Sequence, residues 1–303
     1  MKILITGGTG FIGTHLLHQL TKTSNDIVLL TRSAPSRHVF HTANVRCVQW
    51  DAKTFGVWTE ELLDADVVIN LIGKNIFEQR WNKKVKRELA ESRVHATQLL
   101  VEAMRQHKHK PHVFVSVSAV GYYGDTGEEP VIETSPAGKD FLAQLVLAWE
   151  TAALKAELDG VRVALPRVGI VLHNNSDIIQ RLLLPFRMFV GGWIGSGKQY
   201  MSWIHADDVV RGILFAIENT QVAGAFNLVS PQPVQSKEFS RIFGKILHRP
   251  SWIPVPTILL KIFFGEVSEV ITTGQKVVPQ KLLRFGFQFS FPTLESALRQ
   301  ILS

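Results

Sequence analysis

ILITGGTGFIG, Ile3 to Gly13, decides the reading of this chain. An apolar run of strand length leads into glycines at two overlapping spacings, Gly7-x-x-Gly10-x-x-Gly13 and Gly8-x-Gly10-x-x-Gly13. A helical pattern, FIGTHLLHQLTK, follows at once. Glycines between a strand and a helix permit a tight turn, close approach of backbone to a pyrophosphate, and close helix–strand packing. The helix N-terminus then offers amide donors and positive dipole to phosphates. The stretch predicts a dinucleotide-binding turn.

The pattern continues outward. KILIT, DIVLLT, VRCVQW, DVVINLIG, HVFVSVS and VRVALPRVGIV read as strands. Between them lie three helical stretches: the first turn's helix, WNKKVKRELAESRVHATQLLVEAMRQ, and DFLAQLVLAWETAALKAEL. Short continuous apolar strands alternating with helices predict an α/β fold, a doubly wound parallel sheet of Rossmann type covered on both faces. Ligands are then expected beyond the carboxyl ends of the strands. After about residue 170 the alternation loosens and prolines cluster. We expect a binding domain over residues 1–170, with a returning segment at about 204–230 that includes AFNLVS. A smaller C-terminal substrate-binding lobe is expected over 171–203 and 231–303.

Composition narrows the classes. Across 303 residues, 46% are apolar and 19% charged, as in an ordinary globular protein. The single cysteine, Cys47, excludes a disulfide within the chain and fits a reducing, cytoplasmic setting. Its apolar surroundings predict a buried thiol. No stretch reaches the roughly 20 apolar residues that span a bilayer, so no membrane partner is expected. The net charge of +7 is concentrated in RWNKKVKRELAESR and RQHKHKPH. The first has Trp81, Val85 and Leu89 at helical spacing, so its lysines form a solvated face. Nucleic acid is therefore not the expected partner. His107, His109 and His112 lack the acids or cysteines that would complete a metal site, and none is expected.

The second strand ends in Thr31, Arg32 and Ser33. A site for NAD places an acid there to accept from the ribose 2′-hydroxyl. Here a guanidinium stands ready for a 2′-phosphate, which favours NADP(H).

In order and spacing, TGGTGFIG, VVINLIG, FVSVSAVGYYG, LPRVGIVL, GSGKQYMSWIHADDVV and AFNLVSP resemble the extended short-chain dehydrogenase/reductase family, the branch that includes sugar-nucleotide epimerases. RWNKKVKRELAESR, SWIHADD and GQKVVPQKLLRFGFQFSFP resemble an atypical epimerase-family subgroup, of the NAD-dependent epimerase/dehydratase kind with a C-terminal domain of unknown function. By position, the resemblance implies that Gly7, Gly10, Phe11, Ile12 and Gly13 cradle the pyrophosphate. It implies that Arg32 and Ser33 hold the adenosine phosphate and that Asp51 faces the adenine. Leu71 and Ile72 would lie along the cofactor, and Arg167 and Val168 would flank the nicotinamide end. The long helix after the fourth strand commonly mediates dimers in the family, so a homodimer is an open expectation.

The family's proton chemistry uses a Tyr, a Lys four residues later, a Ser or Thr, and an upstream Asn. None of the three tyrosines here is followed by such a lysine. Counting back from Glu150 in LVLAWE places Leu142 at the tyrosine and Val146 at the lysine; Arg93 stands at the Asn. Arg93 is expected to contact cofactor phosphates or an anionic substrate, with a surface salt bridge as the competing role. Met201 follows Gln199 where a diphosphate-pairing Arg is common, which weighs against a nucleotide sugar. Ser118, Tyr123 and His205 remain as candidate catalytic groups. Asp207 or Asp208 is expected to cap the helix DDVVRGILFAIE. Two main readings stand: an NADP(H)-dependent, epimerase-like oxidoreductase acting on a small molecule, or an NADP(H)-sensing protein without turnover.

Overall fold

The structure, a computed structural model, describes residues 1–32 and 44–303. Its centre is a seven-stranded sheet: β1 (Lys2–Thr6), β2 (Asp26–Thr31), β3 (Val45–Gln49), β4 (Val67–Asn70), β5 (Val113–Ser116), β6 (Arg162–Val168) and β7 (Gly224–Leu228). All are parallel, in the order β3-β2-β1-β4-β5-β6-β7, and Ser118–Ala119 extends β5 against β6. The order reverses between β1 and β4, which opens a crevice at their carboxyl ends.

The helices that position the site are α1 (Phe11–Leu20), α2 (Lys83–Ala90), α3 (Ala96–Gln106), α4 (Phe141–Leu154), α5 (Asp177–Arg187), α6 (Ala206–Glu218) and α7 (Ser236–Leu247). On one face Leu16 and Leu17 of α1 and Ile213 of α6 pack against Ile3, Ile5 and Val115. On the other, Leu100 and Met104 of α3 pack against Leu4, Val28 and Phe114. Alternate residues of β1 thus serve opposite cores, which is why its sequence is apolar throughout.

The helix expected over 81–106 runs unbroken from Lys83 to Gln106, with a π-helical stretch in its middle. Asn82 caps α2 by accepting from the Val85 amide at 2.9 Å, and a π-turn at Glu91–His95 joins α2 to α3. Such bulges concentrate at functional sites, and Arg93 lies within this one. Cys47 also departs from expectation: it is exposed, because β3 is the sheet's edge and carries Arg46 and Cys47 outward.

A separate core joins α5, α7 and the terminal helix Leu294–Leu302 around Phe186, Phe239, Phe243 and Leu298. The segment between them does not stay in that lobe. Leu282 and Phe287 pack into the sheet's core beside Ile204 and Phe226, while Lys276–Val277 pairs with Pro130–Val131. Among the described residues no helix is long and apolar enough to cross a membrane.

Candidate dinucleotide site and its buried polar support

The glycine turn fits a phosphate cradle. Gly7 has φ +67°, and a Cβ there would lie 2.6 Å from the Leu71 carbonyl oxygen. A Cβ on Gly13 would lie 2.4 Å from Gly8 Cα, so helix and turn meet at backbone distance. Gly10 donates to the Gly7 carbonyl at 3.0 Å and begins α1 with no side-chain cap. The first amides of α1, at Phe11, Ile12 and Gly13, are therefore not claimed by a capping side chain.

The floor beside this turn is fixed. Thr6 Oγ1 donates to Asn70 Oδ1 at 2.8 Å, and Asn70 Nδ2 donates to Thr97 Oγ1 and Ser116 Oγ at 2.9 and 3.1 Å. Leu71 and Ile72 continue β4 directly above it; the Leu71 amide donates to the Thr6 carbonyl at 3.1 Å. These buried hydrogen bonds lock the carboxyl ends of β1, β4 and β5 into one surface.

Arg32 is exposed at the carboxyl end of β2 and forms no ion pair with the described residues. Ser33 lies outside the described residues. Asp51 turns its carboxylate onto its own loop: Oδ1 accepts from the Lys53 and Thr54 amides at 2.8 and 2.9 Å, and Oδ2 accepts from Thr54 Oγ1. Those amides hold its pKa below the usual carboxylate value. The surface there is thus a carboxylate-stapled turn.

Among the described residues Arg93 forms no salt bridge. Its Nη2 donates to the Lys74 carbonyl at 2.8 Å, its Nη1 contacts the Leu89 carbonyl at 3.4 Å, and its guanidinium lies 5.5 Å from the Trp149 ring centroid. A Cβ on Gly73, just beyond β4, would sit 3.1 Å from it. Burial pushes its pKa down to about 10, which leaves it charged at neutral pH. A positive charge that pairs with no carboxylate among the described residues is thereby held just beyond the carboxyl end of β4.

Arg167, Tyr123 and His205 are each engaged in buried hydrogen bonds. Arg167 is buried, with Nε and Nη2 each 2.8 Å from Glu150 and Nη1 donating to Tyr123 Oη at 2.9 Å. Burial alone would lower its pKa, but the Glu150 contacts raise it above the ordinary value. Tyr123 Oη donates to Asn227 Oδ1 at 2.6 Å, so its one proton and an acceptor site are both engaged. Burial pushes the phenol up to about 12, the opposite of what a proton-exchanging tyrosine needs. Ser118 Oγ donates to Glu150 Oε1 at 2.5 Å and keeps lone pairs free of any donor among the described residues. Val168 ends β6 beside Ala119 and Leu228.

His205 is the cap of α6, a role expected of Asp207 or Asp208. Its Nδ1 accepts from the Asp207 amide at 3.2 Å and its Nε2 meets Gln300 Oε1 at 2.9 Å. Asp208 is buried and accepts from the amides of Ser290 and Phe291 at 2.8 and 2.9 Å, tying down the C-terminal segment. Leu142 packs with Trp81 and Phe141, and Val146 is buried, so the positions aligned with Tyr and Lys are apolar.

A parallel sheet, a glycine cradle at its switch point and an open helix terminus define a dinucleotide-binding α/β protein. The chain belongs to the NAD-dependent epimerase/dehydratase family: that family model matches residues 3–228, and one described as a domain of unknown function, DUF1731, matches residues 255–301. It is 36% identical over 304 residues to "Epimerase family protein YfhF" of Bacillus subtilis (strain 168), covering 100% of this chain and 98% of that protein. It is 38% identical over 305 residues to "Epimerase family protein SDR39U1 homolog, chloroplastic" of Arabidopsis thaliana, covering 100% of this chain and 87% of that one. The crystal structure of human epimerase family protein SDR39U1 (isoform2) with NADPH superposes with a TM-score of 0.87 at 34% identity, covering 99% of each chain.

Proposed function

We propose that this chain is an NADP(H)-dependent, epimerase-like oxidoreductase that acts on a small molecule without a Tyr-Lys pair. The observation that carries this reading is the glycine cradle beside an exposed Arg32 at the end of β2, with no acid following it. The similar human protein, whose crystal structure contains NADPH, supports the choice of phosphorylated cofactor. Bound there, the nicotinamide supplies hydride transfer. Gly7, Gly10, Phe11, Ile12 and Gly13 hold the pyrophosphate through backbone amides; Arg32, with Ser33, takes the 2′-phosphate. Leu71 and Ile72 support the cofactor's length, and Arg93 supplies positive charge just beyond the carboxyl end of β4.

For the proton, Ser118 is the retained candidate. In carbonyl reduction the Ser118 hydroxyl, directed at Glu150 in this structure, would turn to the substrate oxygen, give up its proton there and regain one from solvent. Apolar Met201, two residues after Gln199, favours a substrate without a nucleotide diphosphate. A homodimer and a cytoplasmic setting, the latter consistent with the lone Cys47, complete the proposal.

The test is NADPH consumption, followed by its near-ultraviolet absorbance, across a panel of carbonyl compounds. Turnover with one substrate class, lost in Ser118→Ala while NADPH still binds, is the expected result. Undiminished turnover in Ser118→Ala would overturn the serine's role; no NADPH binding at all would overturn the function.

A further inference from the structure

Exposed large apolar side chains concentrate in two segments of the C-terminal lobe. The first closes α5, where Met188 and Phe189 are 62% and 52% exposed. The second runs from Trp252, 63% exposed, into the helix α8 (Thr257–Phe264), where Ile262 and Phe263 are 60% and 69% exposed. The backbone sets the segments side by side. Trp252 Nε1 donates to the Phe189 carbonyl at 2.8 Å, the Trp252 amide to the Gly191 carbonyl at 3.0 Å, and the Val255 amide to the Trp193 carbonyl at 2.8 Å. Together they form one continuous strip that ends in α8.

α8 reads TILLKIFF, apolar on every side but for Thr257 and Lys261, and none of its residues is buried. A helix that is apolar all round belongs in a core or in lipid, and this fold gives it no core. Its eight residues span about 12 Å, far less than the roughly 30 Å of hydrocarbon in a bilayer. The charges around it have one sign. No aspartate or glutamate occurs from Ile178 to Ala206 or from Phe239 to Gly265. Arg181, Arg187, Arg249 and Lys261 lie in those stretches, and none of the four pairs with a carboxylate among the described residues. Arg249 instead holds its guanidinium 4.6 Å from the Phe189 ring centroid, within the strip. Exposed aromatic and aliphatic side chains among unpaired cations match the acyl boundary and anionic headgroups of a lipid surface.

We propose that this strip docks the protein on an anionic phospholipid surface, with α8 and Trp252 entering the headgroup–acyl boundary and the four cations meeting lipid phosphates. The chain then lies on the bilayer without crossing it. A second copy is the poorer occupant: a two-fold contact sets the patch against itself, bringing cations to cations with no acid between them. Nucleic acid would satisfy the cations and leave the apolar side chains against phosphate. An acidic protein would need a groove shaped to α8, whereas a bilayer accepts an exposed helix without one. α8 is also tied to the loop after β4, since Arg80 Nε donates to the Phe263 carbonyl at 2.9 Å and Lys86 pairs with Glu266 at 2.5 Å. A docked α8 therefore brings that loop to the lipid surface.

Vesicle flotation of the full chain tests this. Phosphatidylcholine vesicles containing about 30% phosphatidylglycerol should carry the wild type, and pure phosphatidylcholine vesicles should bind it at least about tenfold more weakly. Ile262→Glu and Trp252→Ser should each lose about tenfold or more in affinity for the anionic vesicles. Both side chains are exposed, so the melting temperature should hold in each variant. Leu158→Glu, at a position 87% exposed on another part of the surface, controls for the added charge and should change affinity by less than about threefold. No flotation of the wild type with anionic vesicles, equal binding to neutral ones, or undiminished binding by both variants would overturn the proposal. So would sedimentation velocity showing, without lipid, a wild-type dimer that Ile262→Glu converts to monomer, since the strip would then belong to a second copy.

Discussion

Arg167 grips Glu150 through two parallel hydrogen bonds, Nε to Oε1 and Nη2 to Oε2, each 2.8 Å, with both side chains withdrawn from water. The pair ties α4 to β6 and passes the connection on, through Tyr123, to Asn227 on β7. Removing one partner leaves the other charge buried and alone. Glu150→Ala should therefore lower unfolding free energy by about 3–5 kcal/mol, measured by urea denaturation. Replacing both residues with methionine should recover much of that loss. A Glu150→Ala change smaller than about 1 kcal/mol would mean that water reaches the pair.

Tyr123 gives the network a signature at high pH. Its folded pKa, about 12, exceeds the ordinary phenol value of 10. A raised pKa contributes stability that is complete below the unfolded pKa and disappears as pH climbs through the folded one. Stability should thus decline between pH 10 and pH 12, by a total on the order of 2–3 kcal/mol for this group. Ultraviolet titration should show one late phenolate that is missing in Tyr123→Phe. If that variant instead abolished turnover with unchanged stability, the hydroxyl would be a reacting group.

Arg93 separates binding from stability. Its guanidinium is half-buried and pairs with no carboxylate among the described residues, a costly arrangement that an isosteric apolar side chain relieves. Arg93→Met should keep or raise the melting temperature while weakening NADPH by about tenfold, the value of one charge-assisted contact. Unchanged affinity would confine the guanidinium to its carbonyl contacts with Lys74 and Leu89.

Much of this was legible in the chain. Ile3–Gly13 announces the first strand, turn and helix because steric demands on glycine are local, and β1, β4 and β5 are apolar enough to require cover on both faces. Cys47 misleads because apolar residues also occupy edge strands, and only pairing order distinguishes edge from centre. The roles of Arg167, Tyr123 and His205 depend on partners distant in sequence, which spacing does not reveal. One signal was available: Glu150 is the lone acid in the apolar helix FLAQLVLAWETAAL, and Arg167 lies in the otherwise uncharged stretch VALPRVGIVL. A charge in a segment that must be buried implies a partner of opposite sign.

The cradle's geometry can be tested with one methyl group. Gly13→Ala places a Cβ against Gly8 Cα and the Gly7 carbonyl, forcing turn and helix apart. It should abolish NADPH binding. Gly56→Ala, whose nearest neighbour to the new Cβ is Trp58 Cδ1 at 3.7 Å, should leave binding unchanged.

Calorimetry of NADPH and NADH on the wild type and Arg32→Asp tests the central assignment most directly. The account predicts that NADPH binds the wild type and weakens at least about tenfold in the variant, while NADH changes by less than about threefold. Folded wild-type protein that releases no heat with NADPH, or equal losses for both nucleotides in Arg32→Asp, would contradict it.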